Sequence, residues 1–276
     1  MGKATAIEWT DHTFNPWWGC TKVSPGCDHC YAEAWARRVG KSVWGHHEPR
    51  RFFSEAHWRE PRAWNAEAAK AQQRKRVFCA SMADVFEDRR DLDAPRERLW
   101  QLIAETPHLD WQLLTKRPHT VARLAPWKKN WPSNVWLGTT VEDQERAKLR
   151  IPALLRIPAK VRFLSCEPLL GAVDLTALIA KQQHGIDWII AGGESGPGAR
   201  PMAPVWLRRL RDFCHQRDIA FHFKQWGHWA PQSPPAESRK KITTLSEGIV
   251  LYAVGKRAAG RRLDGETWDQ LPTVET

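Results

Sequence analysis

Short apolar runs recur along the chain at residues 76–80, 111–115, 135–139, 161–165, 188–191 and 220–223, preceded by an opening run near Thr13 to Trp17. Each is followed by polar or Gly/Pro-marked residues and then by segments with helix-like apolar spacing, such as 95–105 and 205–217. The runs are apolar on both faces, as parallel strands covered by helices must be. This alternation predicts parallel strands with crossover helices, hence an open or closed α/β barrel. A doubly wound open sheet competes with it, but no Gly-rich dinucleotide fingerprint follows the first strand.

With 276 residues and 42% apolar content, the chain can bury the core of one large α/β domain or of two small ones. The expected organisation is a barrel over residues 1–230, with a helical insertion at about 41–75 that is rich in His, Arg, Trp and Glu. Residues 231–241 read as a linker dominated by Pro, Ser and charge. Residues 242–276 read as a short β-rich tail with turns at Gly255, Gly260 and Gly265.

No stretch approaches the roughly 20 uninterrupted apolar residues of a membrane span, and residues 1–9 lack the apolar core of a signal peptide. The expectation is a soluble, cytoplasmic protein with no membrane partner. Six cysteines in a chain of this length, three of them within eleven residues, suit reduced metal ligands better than a disulfide framework. A formal charge of +11 together with 17 Trp suits nucleic acid or another polyanion as partner; the plainer alternative is a solvated basic surface with Trp in the core.

The strongest chemical signal is Gly19-Cys20 followed by Cys27-Asp28-His29-Cys30-Tyr31. Three thiolates from Cys20, Cys27 and Cys30 can wrap one face of a 4Fe-4S cluster and leave the fourth iron without a protein ligand. An open iron would accept the amino and carboxylate groups of S-adenosylmethionine, and an electron supplied by a separate donor would start radical chemistry. The alternative is a Cys3His zinc site completed by His29, His12, His46 or His47 in a basic, non-catalytic nucleic-acid-binding protein. Cys79, Cys166 and Cys214 stand alone in or beside apolar runs and read as small buried hydrophobes.

Polar and charged residues sit just past successive strand ends, where a barrel mouth binds ligand. Asp84, Glu142, Glu167, Glu194 and Lys224 are the candidates for arranging the reacting groups. Tyr31, Ser81, Met82, Thr115, Lys116, Thr139, Ser165, Gly192 and Gly193 are candidates for contacting the cofactor. In Gly192-Gly193-Glu194-Ser195-Gly196 the glycines allow close backbone approach around one carboxylate.

Ile7-Glu8-Trp9-Thr10-Asp11, Ser24-Pro25-Gly26-Cys27, Cys30-Tyr31-Ala32-Glu33, Ser81-Met82-Ala83-Asp84, Leu114-Thr115-Lys116-Arg117-Pro118, Ser165-Cys166-Glu167-Pro168 and Lys224-Gln225-Trp226-Gly227 together resemble the phage-associated three-Cys-motif proteins of unknown function, a family similar to the radical S-adenosylmethionine superfamily. The resemblance covers nearly the whole chain. It implies a partial (β/α) barrel of about six parallel strands with the cluster at its mouth. It also implies that His29 stands where an aromatic touches the adenine, that residues 81–84 take the methionine amino group, and that a separate protein partner exists. The six residues between Cys20 and Cys27 depart from the usual superfamily spacing of three.

Overall fold

The structure is a computed structural model that describes residues 5, 7–179, 185–232, 241–245 and 248–273. Its chain forms two compact units, one of residues 1–23, 32–139 and 152–162, the other of residues 24–31, 140–151 and 163–276.

The first unit contains, in chain order, β1 (His12–Thr13), β2 (Trp17–Trp18), α1 (Tyr31–Arg38), β3 (Arg51–Phe52), α2 (Glu55–Ala71), β4 (Lys75–Cys79), α3 (Asp93–Glu105), β5 (Leu109–Thr115), α4 (Pro118–Leu124) and β6 (Val135–Thr140). β4 pairs in parallel with β1 on one side and β5 on the other, so that Val77 stands between His12 and Trp111. β6 continues the parallel ladder from β5. The opening apolar run divides in two because Pro16 offers no backbone N–H: β1 joins the parallel sheet, while β2 pairs antiparallel with β3.

Helix α2 fills the expected insertion. Its buried residues Trp58, Pro61, Trp64 and Ala68 recur at helical spacing. That face packs aromatic on aromatic, with Trp64 stacked 4.4 Å from His12 and the edge of Trp58 5.3 Å from Phe14. Beneath it Trp111, Val77, Leu113 and Val135 are fully buried, each contributing roughly 1.5–3 kcal/mol of apolar transfer.

The second unit contributes α5 (Gln144–Leu155, which starts in it), β7 (Arg162–Cys166), β8 (Trp188–Gly192), α6 (Pro204–Gln216), β9 (Ala220–Gln225), β10 (Trp229–Ala230), β11 (Ile242–Thr244), β12 (Val250–Ala253) and the short α7 (Lys256–Ala259). β8 lies between β7 and β9, all parallel, with Ile190 flanked by Ser165 and His222. β10, β12 and β11 make a small antiparallel sheet.

The parallel strands follow the order β1-β4-β5-β6-β7-β8-β9. The fold is therefore a mixed α/β partial barrel with a small antiparallel sheet near the C-terminus. It has seven strands where about six are expected, the first contributing only two residues. Of the expected linker, residues 233–240 lie outside the described residues. The tail does more than trail off: Phe223 N–H donates to Trp268 O and Gln270 N–H to Phe221 O, so the free edge of β9 is covered by the chain's own last segment. Among the described residues no helix is long and apolar enough to cross a membrane.

Candidate functional site

In the first unit the chain leaves β2 through Gly19, whose φ of +115° and lack of a side chain are both required: a Cβ there would lie 2.2 Å from Val43 O. Gly19 N–H donates to Met82 O at 3.0 Å, which ties the start of the cysteine loop to the segment after β4. Cys20 follows at once. Its Sγ accepts from Arg117 Nη1 at 3.6 Å and donates to Thr21 O at 3.5 Å. Desolvation pushes the Cys20 thiol up to about 12, against the pull of the Arg117 charge.

Arg117 is held by Asp84. The same Nη1 donates to Asp84 Oδ2 at 2.8 Å, and Nη2 donates to Thr21 O at 2.7 Å. Asp84 Oδ1 accepts from Thr115 Oγ1 at 2.8 Å and Phe86 N–H at 3.0 Å, and Oδ2 accepts from Lys116 N–H at 3.1 Å. Both members of the pair are nearly buried, at 9% and 7% side-chain exposure. Thr139 Oγ1 donates to Thr115 O, so these strand-end hydroxyls are engaged in holding Asp84 and β5. Ser81 and Met82 are held by Asn15, whose Oδ1 accepts from Met82 N–H at 2.7 Å and whose Nδ2 donates to Ser81 Oγ at 3.0 Å.

A second clasp was not visible in the sequence. Glu87 accepts from Arg50 Nη2 at 2.7 Å and from Thr21 Oγ1 at 2.6 Å, while Arg50 Nη1 donates to the carbonyls of Val43, Gly45 and Glu48. One buried guanidinium thus gathers the strand-poor segment after α1 around the residue next to Cys20.

In the second unit Cys27 closes a 3-10 turn, Pro25–Cys27, with its N–H donating to Ser24 O at 2.9 Å and its sulfur 3.9 Å from Ser24 Oγ. Two carboxylates fasten this turn. Glu142, fully buried, accepts from Gly26 N–H at 3.3 Å and from Arg150 Nη1 at 2.7 Å. Glu194 accepts through Oε2 from Arg200 N–H at 2.8 Å and Arg200 Nε at 3.0 Å, pairs there with His29 Nδ1 at 2.9 Å, and accepts through Oε1 from Arg200 Nη2 at 2.6 Å. Arg200 Nη2 also donates to Pro25 O at 2.8 Å. Burial alone would raise the Glu194 carboxyl, but Arg200 and His29 outweigh it and hold it below its ordinary range.

The Gly-rich turn that carries Glu194 is shaped by a backbone contact. A Cβ on Gly193 would lie 2.0 Å from Trp226 O, and one on Gly227 would lie 2.1 Å from Glu194 O. Gly193 N–H donates to Gln225 O and His228 N–H to Glu194 O, which locks the ends of β8 and β9 together.

The third acid of this unit is less committed. Glu167 Oε2 accepts from Lys224 Nζ at 2.9 Å and Oε1 from Gln225 Nε2 at 3.4 Å. Gln225 is 5% exposed and its Oε1 has no partner among the described residues. Gly192 lets the two strand ends close on this group, since a Cβ there would lie 3.3 Å from Glu167 Oε1. Ser165, beside it on β7, is engaged through its carbonyl, which accepts from Val141 N–H.

Every strand-end carboxylate named from the sequence therefore has a basic partner: Asp84 with Arg117, Glu142 with Arg150, Glu167 with Lys224, Glu194 with Arg200. None of the six cysteines is in a disulfide, and Cys79, Cys166 and Cys214 are buried as expected. Among the described residues no three His, Cys, Asp or Glu side chains are drawn together into a group that could hold a metal ion. The donor chemistry of Cys20, Cys27 and Cys30 suits a thiolate-bound iron centre, and a guanidinium already placed on one sulfur suits the anion that sulfur would become. His29 engages Nδ1 with Glu194, which leaves Nε2 as its other ring nitrogen.

These observations define an α/β partial-barrel protein whose cysteine-bearing segments are fastened by buried acid–base pairs at strand ends. The chain belongs to the family described as Protein of unknown function (DUF5131), whose model matches residues 4–272. No curated protein and no solved structure matches it.

Proposed function

We propose that this protein is an iron–sulfur enzyme in which Cys20, Cys27 and Cys30 hold a 4Fe-4S cluster that binds S-adenosylmethionine, with nucleic acid as the substrate class. The observation that carries the reading is the cysteine segment itself: three cysteines outside any disulfide at Cys-x6-Cys-x2-Cys spacing, with the backbone around each end fastened by buried charge. When bound, such a cluster supplies one electron to break a carbon–sulfur bond of S-adenosylmethionine.

The chain's own residues have separable tasks. Asp84 holds the Arg117 guanidinium on Cys20 Sγ, where it offsets the negative charge of a thiolate. Glu142 and Glu194 fix the turn that carries Cys27, so little backbone freedom is lost on loading. Glu167 and Lys224 keep unused hydrogen-bonding capacity and would bind the charged groups of cofactor or substrate. Reductive chemistry of this kind requires a separate electron donor and suits a reducing compartment such as the cytoplasm. The family resemblance to phage-associated proteins adds a separate protein partner to the reading.

A zinc-stabilised, non-catalytic binding protein is the second reading, favoured by the +11 charge. Its fourth ligand would be His29 through Nε2, since Glu194 already holds Nδ1 as a carboxylate behind a metal-bound His does. Electron paramagnetic resonance of anaerobically reconstituted, reduced protein separates the two. A cluster signal that changes when S-adenosylmethionine is added is expected; a silent protein under those conditions contradicts the proposal.

A further inference from the structure

Three strand ends of the second unit meet at one polar group whose hydrogen bonding is incomplete. Glu167 follows β7, Gly192 ends β8, and Lys224 and Gln225 end β9. Glu167 accepts from Lys224 Nζ through Oε2 at 2.9 Å and from Gln225 Nε2 through Oε1 at 3.4 Å, which uses two of the roughly four acceptor positions of a carboxylate. The side chains of Glu167 and Lys224 are 19% and 18% exposed, so solvent still reaches them. Gln225 is nearly buried, yet its Oε1 has no partner among the described residues. The contact with Glu167 fixes which way round that amide sits, since the reverse would set two acceptors against each other. A network serving stability alone would not leave a buried carbonyl oxygen unmet.

Gly192 keeps the place beside this group open. Its φ lies outside the left-handed region, so the backbone does not call for glycine there; a Cβ would instead lie 3.3 Å from both Glu167 Oε1 and Gln225 O. Both Glu167 oxygens and Gln225 Oε1 can take further N–H groups, and Lys224 Nζ has donors left for an acceptor. A matching ligand presents adjacent N–H donors next to a carbonyl. An ammonium would crowd a second cation onto a carboxylate that Lys224 already shares, whereas neutral N–H donors fit the pair as it stands. Among the common bases of a nucleic acid, guanine alone carries that edge: N1–H and the N2 amino group donate side by side, with O6 as the acceptor next to them. Adenine and cytosine offer one amino group beside acceptors, and thymine or uracil one N–H between two carbonyls.

We infer that Glu167, Lys224 and Gln225 form a subsite that reads guanine, with the Glu167 carboxylate accepting from N1–H and the N2 amino group, Lys224 donating to O6, and Gln225 Oε1 taking the second amino hydrogen. The inference rests on nucleic acid as the substrate class and narrows the task given to Glu167 and Lys224 above to one base edge. It needs no metal, so it and the cysteine reading fail separately.

The test is fluorescence anisotropy of end-labelled oligothymidylates that carry one central guanine, hypoxanthine or adenine, with the full-length protein as purified and again after cluster reconstitution. The guanine strand should bind about tenfold tighter than the other two in both preparations, the discrimination expected of one good bidentate pair. Glu167→Gln should abolish the preference for guanine over hypoxanthine, which differ only in the N2 amino group. Lys224→Gln should weaken the guanine and hypoxanthine strands alike, since both bases keep O6, and leave their ratio unchanged. An ion pair that serves stability alone would move neither ratio. Equal affinity for the three strands in wild type, no binding of any of them, or a guanine preference that survives Glu167→Gln would overturn the inference.

Discussion

Arg117 Nη1 stands 3.6 Å from Cys20 Sγ although 97 residues of chain separate them, and Asp84, 2.8 Å away on the same nitrogen, keeps it there. A nearly buried guanidinium–carboxylate pair has little strength to spare if one member is lost, because the other is left charged in a poor solvent. Asp84→Ala should therefore destabilise the protein by about 3–5 kcal/mol in urea unfolding. Asp84→Ala together with Arg117→Met should recover part of that loss, and a double variant no more stable than the single one would contradict the pairing.

Glu194 makes stability depend on acid. Its folded carboxyl is held below its unfolded value of about 4.3, so its contribution is complete above that value and is lost as pH falls through the folded one. Wild type should exceed Glu194→Gln in stability at pH 6, and the difference should shrink by pH 3. Urea unfolding at both pH values checks this; a difference that grows on acidification has the wrong sign.

The contact between the ends of β8 and β9 leaves no room for a methyl group. Gly193→Ala should cost about 3 kcal/mol or more, because its Cβ would meet a backbone carbonyl that cannot turn away. Gly196→Ala, in the same loop, meets nothing within 4 Å and should lose only the cost of its positive φ, about 1 kcal/mol. Thermal unfolding of the two variants should rank them in that order.

The three solitary cysteines should be inert. Burial raises the thiols of Cys79 and Cys214 well above their ordinary range and that of Cys166 to about 12, so none is a thiolate near neutrality. A disulfide reagent at pH 8 should modify none of them until the protein unfolds, as peptide mapping would show. Rapid labelling of Cys166 in the native protein would place it in an open site instead.

The parallel strands were legible because strands covered on both faces must be apolar throughout, a signal that survives in runs such as residues 135–139 and 188–191. The cysteine segment was legible because its ligands lie within eleven residues. The clasps were not. Arg50 and Glu87, or Glu194 and Pro25 through Arg200, meet across tens to more than a hundred residues, and an arginine that will be buried has the same local signature as one at a solvated rim. Arg117 carries no local sign of burial, and it is 7% exposed. The cover over β9 was equally hidden: residues 242–276 read as β-rich, but nothing local to Trp268 or Gln270 names β9 as their partner. The tryptophan count spoke for the core at nearly every position, and Trp35 is the exception that only coordinates could single out.

Iron, zinc and acid-labile sulfide, measured per chain on protein purified without oxygen, bear most directly on the cysteine segment. About four irons and four sulfides are expected in wild type, with Cys20→Ala, Cys27→Ala and Cys30→Ala each losing them while remaining folded. One zinc per chain with no sulfide, or an iron content indifferent to all three substitutions, would contradict the account.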